Sequence, residues 1–334
     1  MPWVDNTVTV TGLRNRDDYA QIYEILRDYQ LRQAELTHAF NPEPTTLTAL
    51  RQGAKVLEED EMNTRIINEF KVGCDPEFAV LDGKKAVLLS RFLPAAGEIG
   101  YDHGGYCAEL RPTPTRGTYT LTKKIQKILQ SDILKPLKNY KWRAGAMVRL
   151  YYPEGIPAVQ ELGREYRDLT LGGHVHFGIP YRQAQVNTEL LDSCDRYTKY
   201  LEALDILPQA ESQIRRDTGR NQGHDYGQWS SARRSGTDEH LEYRTPCSWL
   251  YSPEAAYLAL TGLKLVATNP GIARDMLPLQ GKSFKRLKAF FELYENKDSN
   301  AKRAVEKLLD EDVKKLQADP DSNFREAWEK PLEF

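Results

Sequence analysis

An α+β fold is predicted for this 334-residue chain: a mostly antiparallel, curved sheet with helices on one side and a polar site on the other. Three observations carry the prediction. Strand-like segments between Lys71 and Pro246 are interleaved irregularly with helical ones, which suits helices segregated to one face of a sheet. Several of those strands place chemically active side chains at i, i+2 spacing, on one face. No GxGxxG or GxxxxGKS/T segment is present to mark a doubly wound fold.

Along the chain, Val4 to Val10 reads as a short strand. Tyr19, Ile22, Tyr23, Leu26 and Tyr29 then share a helical face, and a second helical stretch is expected from Thr46 to Asn68, after the break at Asn41-Pro42-Glu43-Pro44. Residues 1–70 are thus expected to be a helix-rich N-terminal region, 71–270 a strand-rich region and 271–334 a charged helical tail packing on the surface. Within the middle region, KVGCDPEFAVL, Asp82-Gly83 and KKAVLLS read as a hairpin whose glycine supplies positive φ for a type I′ turn. GYCAELRP, WRAGAMVRL, GGHVHFGI and EHLEYRTP are further strands. Helices are expected over 119–134, with Leu121, Ile125, Ile128 and Leu129 as the apolar stripe, and over 186–207. Pro208–Gly236, polar and rich in Gly and Arg, reads as a long functional loop carrying Arg215, Arg216, Arg220 and Asp225; under the family resemblance given below, it would be a candidate lid. Ser252-Pro253-Glu254 has the three marks of a helix start: N-cap, Pro at the first position, acid in the first turn.

Composition excludes several classes of function. With 46 Lys+Arg against 48 Asp+Glu the net charge is −2, so no global field recruits nucleic acid or an anionic membrane surface. No run reaches the roughly 18 apolar residues of a membrane span. MPWVDNTVTV has neither the basic nor the apolar region of a signal peptide. The four cysteines, Cys74, Cys107, Cys194 and Cys247, show no CxxC pairing. A reduced, cytoplasmic setting is expected, with the cysteines as small buried hydrophobes.

Asp75 and Glu77 share a strand face; so do Glu109 and Arg111, His174 and His176, and His240, Glu242 and Arg244. Any one such pair is ordinary for a solvent face. A solvated face, however, mixes Lys, Thr, Ser and Gln, whereas these four select carboxylate, imidazole and guanidinium amid Gly and Pro. Carboxylates suit Mg²⁺ or Mn²⁺, Mn²⁺ also accepts imidazole, and arginine forks match phosphate oxygens. Metal–nucleotide binding without a P-loop follows from that set.

At these segments the chain resembles glutamine synthetase and its relatives. VGCDPEF resembles that family's Gly-Pro-Glu-Pro-Glu-Phe strand, GGHVHFG its Gly-Met-His-Cys-His segment, SARRSG its Ser-Ala-Arg-Asn-Arg-Ser loop and LEYRTP its Ile-Glu-Val-Arg-Phe-Pro strand. GCDPEF, GYDHGGYCAELRPTP and GGHVHFG together are closer still to the phage COOH–NH2 ligase type 2 family of amidoligases. The likeness spans 71–270 and implies a glutamine-synthetase-like catalytic domain. It further implies an ATP- and Mg²⁺- or Mn²⁺-dependent ligase of phage origin that joins a small-molecule or peptide carboxylate to an amine through an acyl phosphate, releasing ADP and phosphate.

Carried over residue by residue, the resemblance gives Glu77 and Glu109 to the metal on the substrate side, and Asp75, His174 and Glu242 to the metal bridging the ATP phosphates. Arg233, Arg234 and Arg244 would hold the γ-phosphate, and Arg111 the substrate carboxylate or a phosphate. His176 would orient the ligands or touch substrate, and Asp102 would add a ligand. Asp75 is shorter than the family's glutamate. Substrate identity and oligomeric state stay open.

Three alternatives compete. His-x-His also begins some zinc hydrolase sites, though here it follows two acidic strands and has no barrel context. A guanido kinase shares the synthetase-like fold. A degenerate ligase kept as a structural or interaction protein would not need the intact set of acids and arginines.

Overall fold

Strand β1 (Val72–Asp82) organises the sheet, because alternate residues along it differ in kind: Val72, Cys74, Phe78 and Val80 point one way, Asp75 and Glu77 the other. The computed structural model describes residues 70–151, 166–180, 188–221, 225–235, 240–277, 281–292, 300–309 and 323–334, within one unit running from Ile67 to Phe334. The expected N-terminal strand and helices of residues 1–69 lie outside the described residues.

Among the described residues, ten strands form one sheet. After β1 come β2 (Lys85–Ala86), β3 (Ile99–Asp102), β4 (Cys107–Leu110), β5 (Lys141–Arg143), β6 (Met147–Tyr151), β7 (Tyr166–Thr170), β8 (Gly173–Pro180), β9 (Ala232–Ser235) and β10 (His240–Tyr243). The main path runs β7-β6-β2-β1-β8-β10-β9, with β4 joining β1 to β3, and β5 also on β1. Only β2–β6 is parallel among the described pairs, so the predicted antiparallel character holds. Because β1 pairs β8, β4, β5 and β2 in turn along its length, the sheet curls around it.

Helices cover the apolar face. α1 (Thr118–Leu129) buries the predicted stripe Leu121, Ile125, Ile128 and Leu129. α2 (Thr188–Glu202) contributes Leu190, Cys194, Tyr197 and Leu201 to the same core as Val175, Leu241 and Tyr243 of the strands. α3 (Gln209–Asn221) follows, then α4 (Pro253–Thr268), which is buried on every side and apolar almost throughout, as a central helix must be. Ser252 caps α4 as predicted: its Oγ accepts a hydrogen bond from the Ala255 N–H at 3.2 Å, a contact worth about 1 kcal/mol.

Several expectations are corrected. The hairpin after β1 turns on Gly83-Lys84, with Asp82 paired to Lys85; Gly83 alone has positive φ (58°), so a type I′ turn, which needs two such residues, is not formed. WRAGAMVRL is two strands, divided at Gly145, whose φ of 121° takes the chain out of strand geometry. The helix expected to run to Leu134 ends at Leu129 and passes into a 3₁₀ segment, Asp132–Leu137, that accommodates Pro136. The helix expected over 186–207 covers Thr188–Glu202.

The supposed lid is not open loop. It contains α3 and β9, and Arg215 and Arg216 are buried in it. Arg216 makes a two-pronged pair with Glu202 at 2.9 and 2.8 Å, and Arg215 donates to the Thr245 and Arg244 carbonyls. Nor does the C-terminal stretch lie only on the surface. Leu287, Phe290 and Phe291 of α6 (Phe284–Glu292), Val305 and Leu308 of α7 (Asn300–Leu308), and Phe324 and Trp328 enter the main core, because each of these helices has an apolar stripe among its charges. α5 (Pro270–Met276) links α4 to that region.

Candidate active site

Strand register brings the four polar faces together. Glu77 pairs with Glu109, Asp75 with His174, and His176 with Glu242, which in turn pairs with Arg233. Directly opposed residues of antiparallel strands sit about 5 Å apart on one face, so these pairings gather acids, imidazoles and guanidinium groups on one surface. Beyond Glu77 the same face turns apolar: Ala79, Leu81, Cys107, Val148, Leu169 and Leu171 form a second, smaller core. The carboxylates therefore end against a dry wall.

At the centre, His174 Nδ1 lies 3.2 Å from Asp75 Oδ1 and 3.6 Å from Glu242 Oε1, while His176 Nε2 lies 3.0 Å from Asp75 Oδ2. His176 Nδ1 is 2.8 Å from His240 Nε2. Burial alone would push the Asp75 carboxyl up, but His174 and His176 outweigh it and hold it well below the usual range. Burial likewise opposes protonation of His176, and the bond to Asp75 overrides it, raising that imidazole. Glu242 is fully buried; its Oε2 accepts from Arg233 Nε at 2.7 Å, and its Oε1 is 3.4 Å from Arg244 Nε.

Beside this centre, Glu77 Oε2 accepts from the Gly172 N–H at 2.6 Å and from the Tyr226 hydroxyl at 2.7 Å, and Oε1 is 3.7 Å from His103 Nε2. Burial raises the Glu77 carboxyl less than His103, His174 and Gly172 together lower it. Glu109 differs. Burial, then the charges of Asp75, Glu77 and Asp102, push it up to about 8, although Arg111 bonds to it and pulls the other way. A carboxyl so raised reflects burial first and the neighbouring acids second.

These residues fit a divalent cation. Asp75 Oδ1, Glu242 Oε1 and both ring nitrogens of His174 are buried without a well-formed hydrogen bond, a costly arrangement that a cation would relieve. Ligand atoms of Asp75, His176 and Glu242 lie within 4.8 Å of one another, and so do those of Glu77, Asp102 and His103.

Asp75, Glu77, Glu109, Arg111, His174, His176, Arg233, Glu242 and Arg244 are brought onto one face. Arg234 is not. Ala232–Ser235 is strand rather than loop, so its two arginines face opposite ways, and Arg234 pairs with Leu241 on the side away from Glu242. His103 and Tyr226 were missed. His103 occupies a left-handed turn (φ 49°) with Gly104 and Gly105, and Asp102 accepts from its N–H at 2.7 Å. The AspHisGlyGly run was the available clue. Tyr226 had none, since it reaches Glu77 from 149 residues away.

The family model described as phage phiEco32-like COOH.NH2 ligase-type 2 matches residues 72–156 and 160–328. Among curated proteins no sequence matches the chain. Among solved structures, "Crystal structure of a bifunctional glutathione synthetase from Pasteurella multocida" aligns with a TM-score of 0.43 and 11% identity, over 81% of this chain. This chain spans 50% of that one.

Proposed function

The chain belongs to the phage phiEco32-like COOH–NH2 ligase type 2 family, and from that premise we propose that it joins a carboxylate to an amine in a reaction driven by ATP, on a glutamine-synthetase-like catalytic domain. One observation supports this reading most directly: carboxylates, imidazoles and guanidinium groups converge on one sheet face, against an apolar wall.

Asp75, Glu242, His174 and His176 would hold one divalent cation, and Glu77, Asp102 and Glu109 a second. Bound there, Mg²⁺ or Mn²⁺ supplies neutralisation of phosphoryl charge. Arg233, half exposed beside Glu242, and Arg244 are placed to grip the γ-phosphoryl oxygens of ATP, the co-substrate. Arg111, one-third exposed, orients the substrate carboxylate. That carboxylate takes the γ-phosphoryl group and ADP leaves; the amine then attacks the acyl carbon and phosphate leaves. The apolar wall of Cys107, Leu169 and Leu171 shields the acyl phosphate from water.

A phosphate-release screen with Mg²⁺–ATP across amino acids, polyamines and peptides tests this. Release that needs both a carboxylate and an amine is expected, with a product whose mass is their sum less one water. A stable phosphorylated product without free phosphate would instead identify a kinase, and full activity in Glu77→Gln would refute the site.

The crowded acids make a second prediction. With the Glu109 carboxyl at about 8 in the cation-free protein, that group is mostly protonated at pH 7. Cation binding then displaces its proton, so affinity is expected to rise with pH through 7 to 8. Titration calorimetry of Mn²⁺ in buffers of different ionisation enthalpy should show net proton release; the same heat in every buffer would contradict it.

A further inference from the structure

Tyr226 stands where the two ends of the site meet. Its hydroxyl donates to Glu77 Oε2 at 2.7 Å. Its ring stands edge-on to the His174 imidazole, with centroids 5.0 Å apart at 87°. The guanidinium carbons of Arg215 and Arg244 lie 4.6 and 4.8 Å from the ring centroid, within cation–π range.

Each contact is held from behind. Arg215 is buried and donates to the backbone carbonyls of Arg244 and Thr245, so it is a fixed wall rather than a mobile charge. Gly227 next door has φ 76°, and a Cβ there would lie 2.7 Å from the Arg215 guanidinium carbon, so only glycine lets the chain pass this close. Gly172 serves the other side: a Cβ on it would overlap both the Tyr226 hydroxyl and His174 Nε2. The Tyr226 hydroxyl is the donor of this bond and the Glu77 carboxylate its acceptor.

From this geometry we propose that Tyr226 is a positioning residue for the ligase reaction, tying the orientation of the Glu77 carboxylate to that of the Arg244 guanidinium. The inference rests on the ligase reading above and deepens it. With Gly172 N–H and Tyr226 O–H both on Oε2, the carboxylate is held against rotation, and Oε1 is the oxygen that faces His103 and would be free to bind a cation. The ring meanwhile sets where Arg244 can point. One side chain thus aligns the carboxylate end with the phosphate end.

Tyr226→Phe and Tyr226→Leu separate the two roles. Phenylalanine keeps the ring and loses the donor. Mn²⁺ is the probe, titrated without substrate, alongside binding of a fluorescent ATP analogue and thermal melting. Tyr226→Phe is expected to weaken Mn²⁺ binding about tenfold, with nucleotide affinity within twofold of the native protein. Tyr226→Leu is expected to weaken both. In a Glu77→Gln background, Tyr226→Phe should add little to the loss of Mn²⁺ affinity, because its target is gone; an additive loss overturns the coupling. Native Mn²⁺ affinity in Tyr226→Phe, or absence of any Mn²⁺ binding by the native protein, overturns the inference. If Mn²⁺ titrations behave as stated yet no carboxylate–amine pair reacts, the positioning role stands and the ligase reading falls.

Discussion

Replacing Glu242 with glutamine is expected to lower ATP-dependent turnover by about two to three orders of magnitude and to remove one class of Mn²⁺ site. The reason lies in its position. Glu242 is fully buried, yet it faces three cationic or potentially cationic groups, through Arg233 Nε at 2.7 Å, Arg244 Nε at 3.4 Å and His174 Nδ1 at 3.6 Å. Glutamine has nearly the same shape and still offers one acceptor to Arg233, so the side chain's fit in its buried position is preserved. What disappears is the charge that holds two guanidinium groups around one point and would hold a cation there. Arg233 is half exposed and can be solvated; Arg244 retains Asp225 at 3.8 Å. Circular dichroism should accordingly be unchanged, while Mn²⁺ titration loses stoichiometry. A Glu242→Gln protein that binds Mn²⁺ like the native one would remove Glu242 from the ligand set.

The face that carries this prediction was legible in the sequence, because the strand period is two and the relevant residues are chemically unusual. Asp75 with Glu77 and His174 with His176 announce a face before any pairing is known. Which strand lies beside which is another matter. The pairing of Glu77 with Glu109 follows from register, and nothing in either strand alone specifies it. Arg234 shows how the same rule misleads when its premise fails: read as loop, Ser231–Ser235 offers both arginines to the site, whereas read as strand it offers one. α3 was hidden for a related reason. Its buried residues are Ser212, Arg215, Arg216 and Gly219, so the apolar stripe by which an amphipathic helix is recognised is missing. Tyr226 is seen only once the chain is folded, since a turn residue acquires its role from what the turn approaches.

That charged buried face of α3 leads to the second large effect. Arg216→Met is expected to destabilise the protein by about 3–5 kcal/mol, more than most single substitutions. Arg216 and Glu202 are almost fully buried, joined by two parallel hydrogen bonds of 2.9 and 2.8 Å, with the guanidinium carbon 4.1 Å from the Trp229 ring centroid. Removing the guanidinium leaves the Glu202 carboxylate buried and without its partner, and the cost of that stranded charge exceeds the worth of the pair itself. The double variant Glu202→Leu/Arg216→Met strands nothing and is expected to be far closer to the native protein than either single change. Urea unfolding followed by fluorescence measures all of these, and an unchanged m-value would tie the shifts to stability. The helix also carries Arg215, which props the Arg244 and Thr245 carbonyls, so the single variant should lose turnover at temperatures where most of it is still folded. Were the double variant as unstable as Arg216→Met, the stranded-charge argument would fail, and packing against Trp229 would be the reason this arginine is buried.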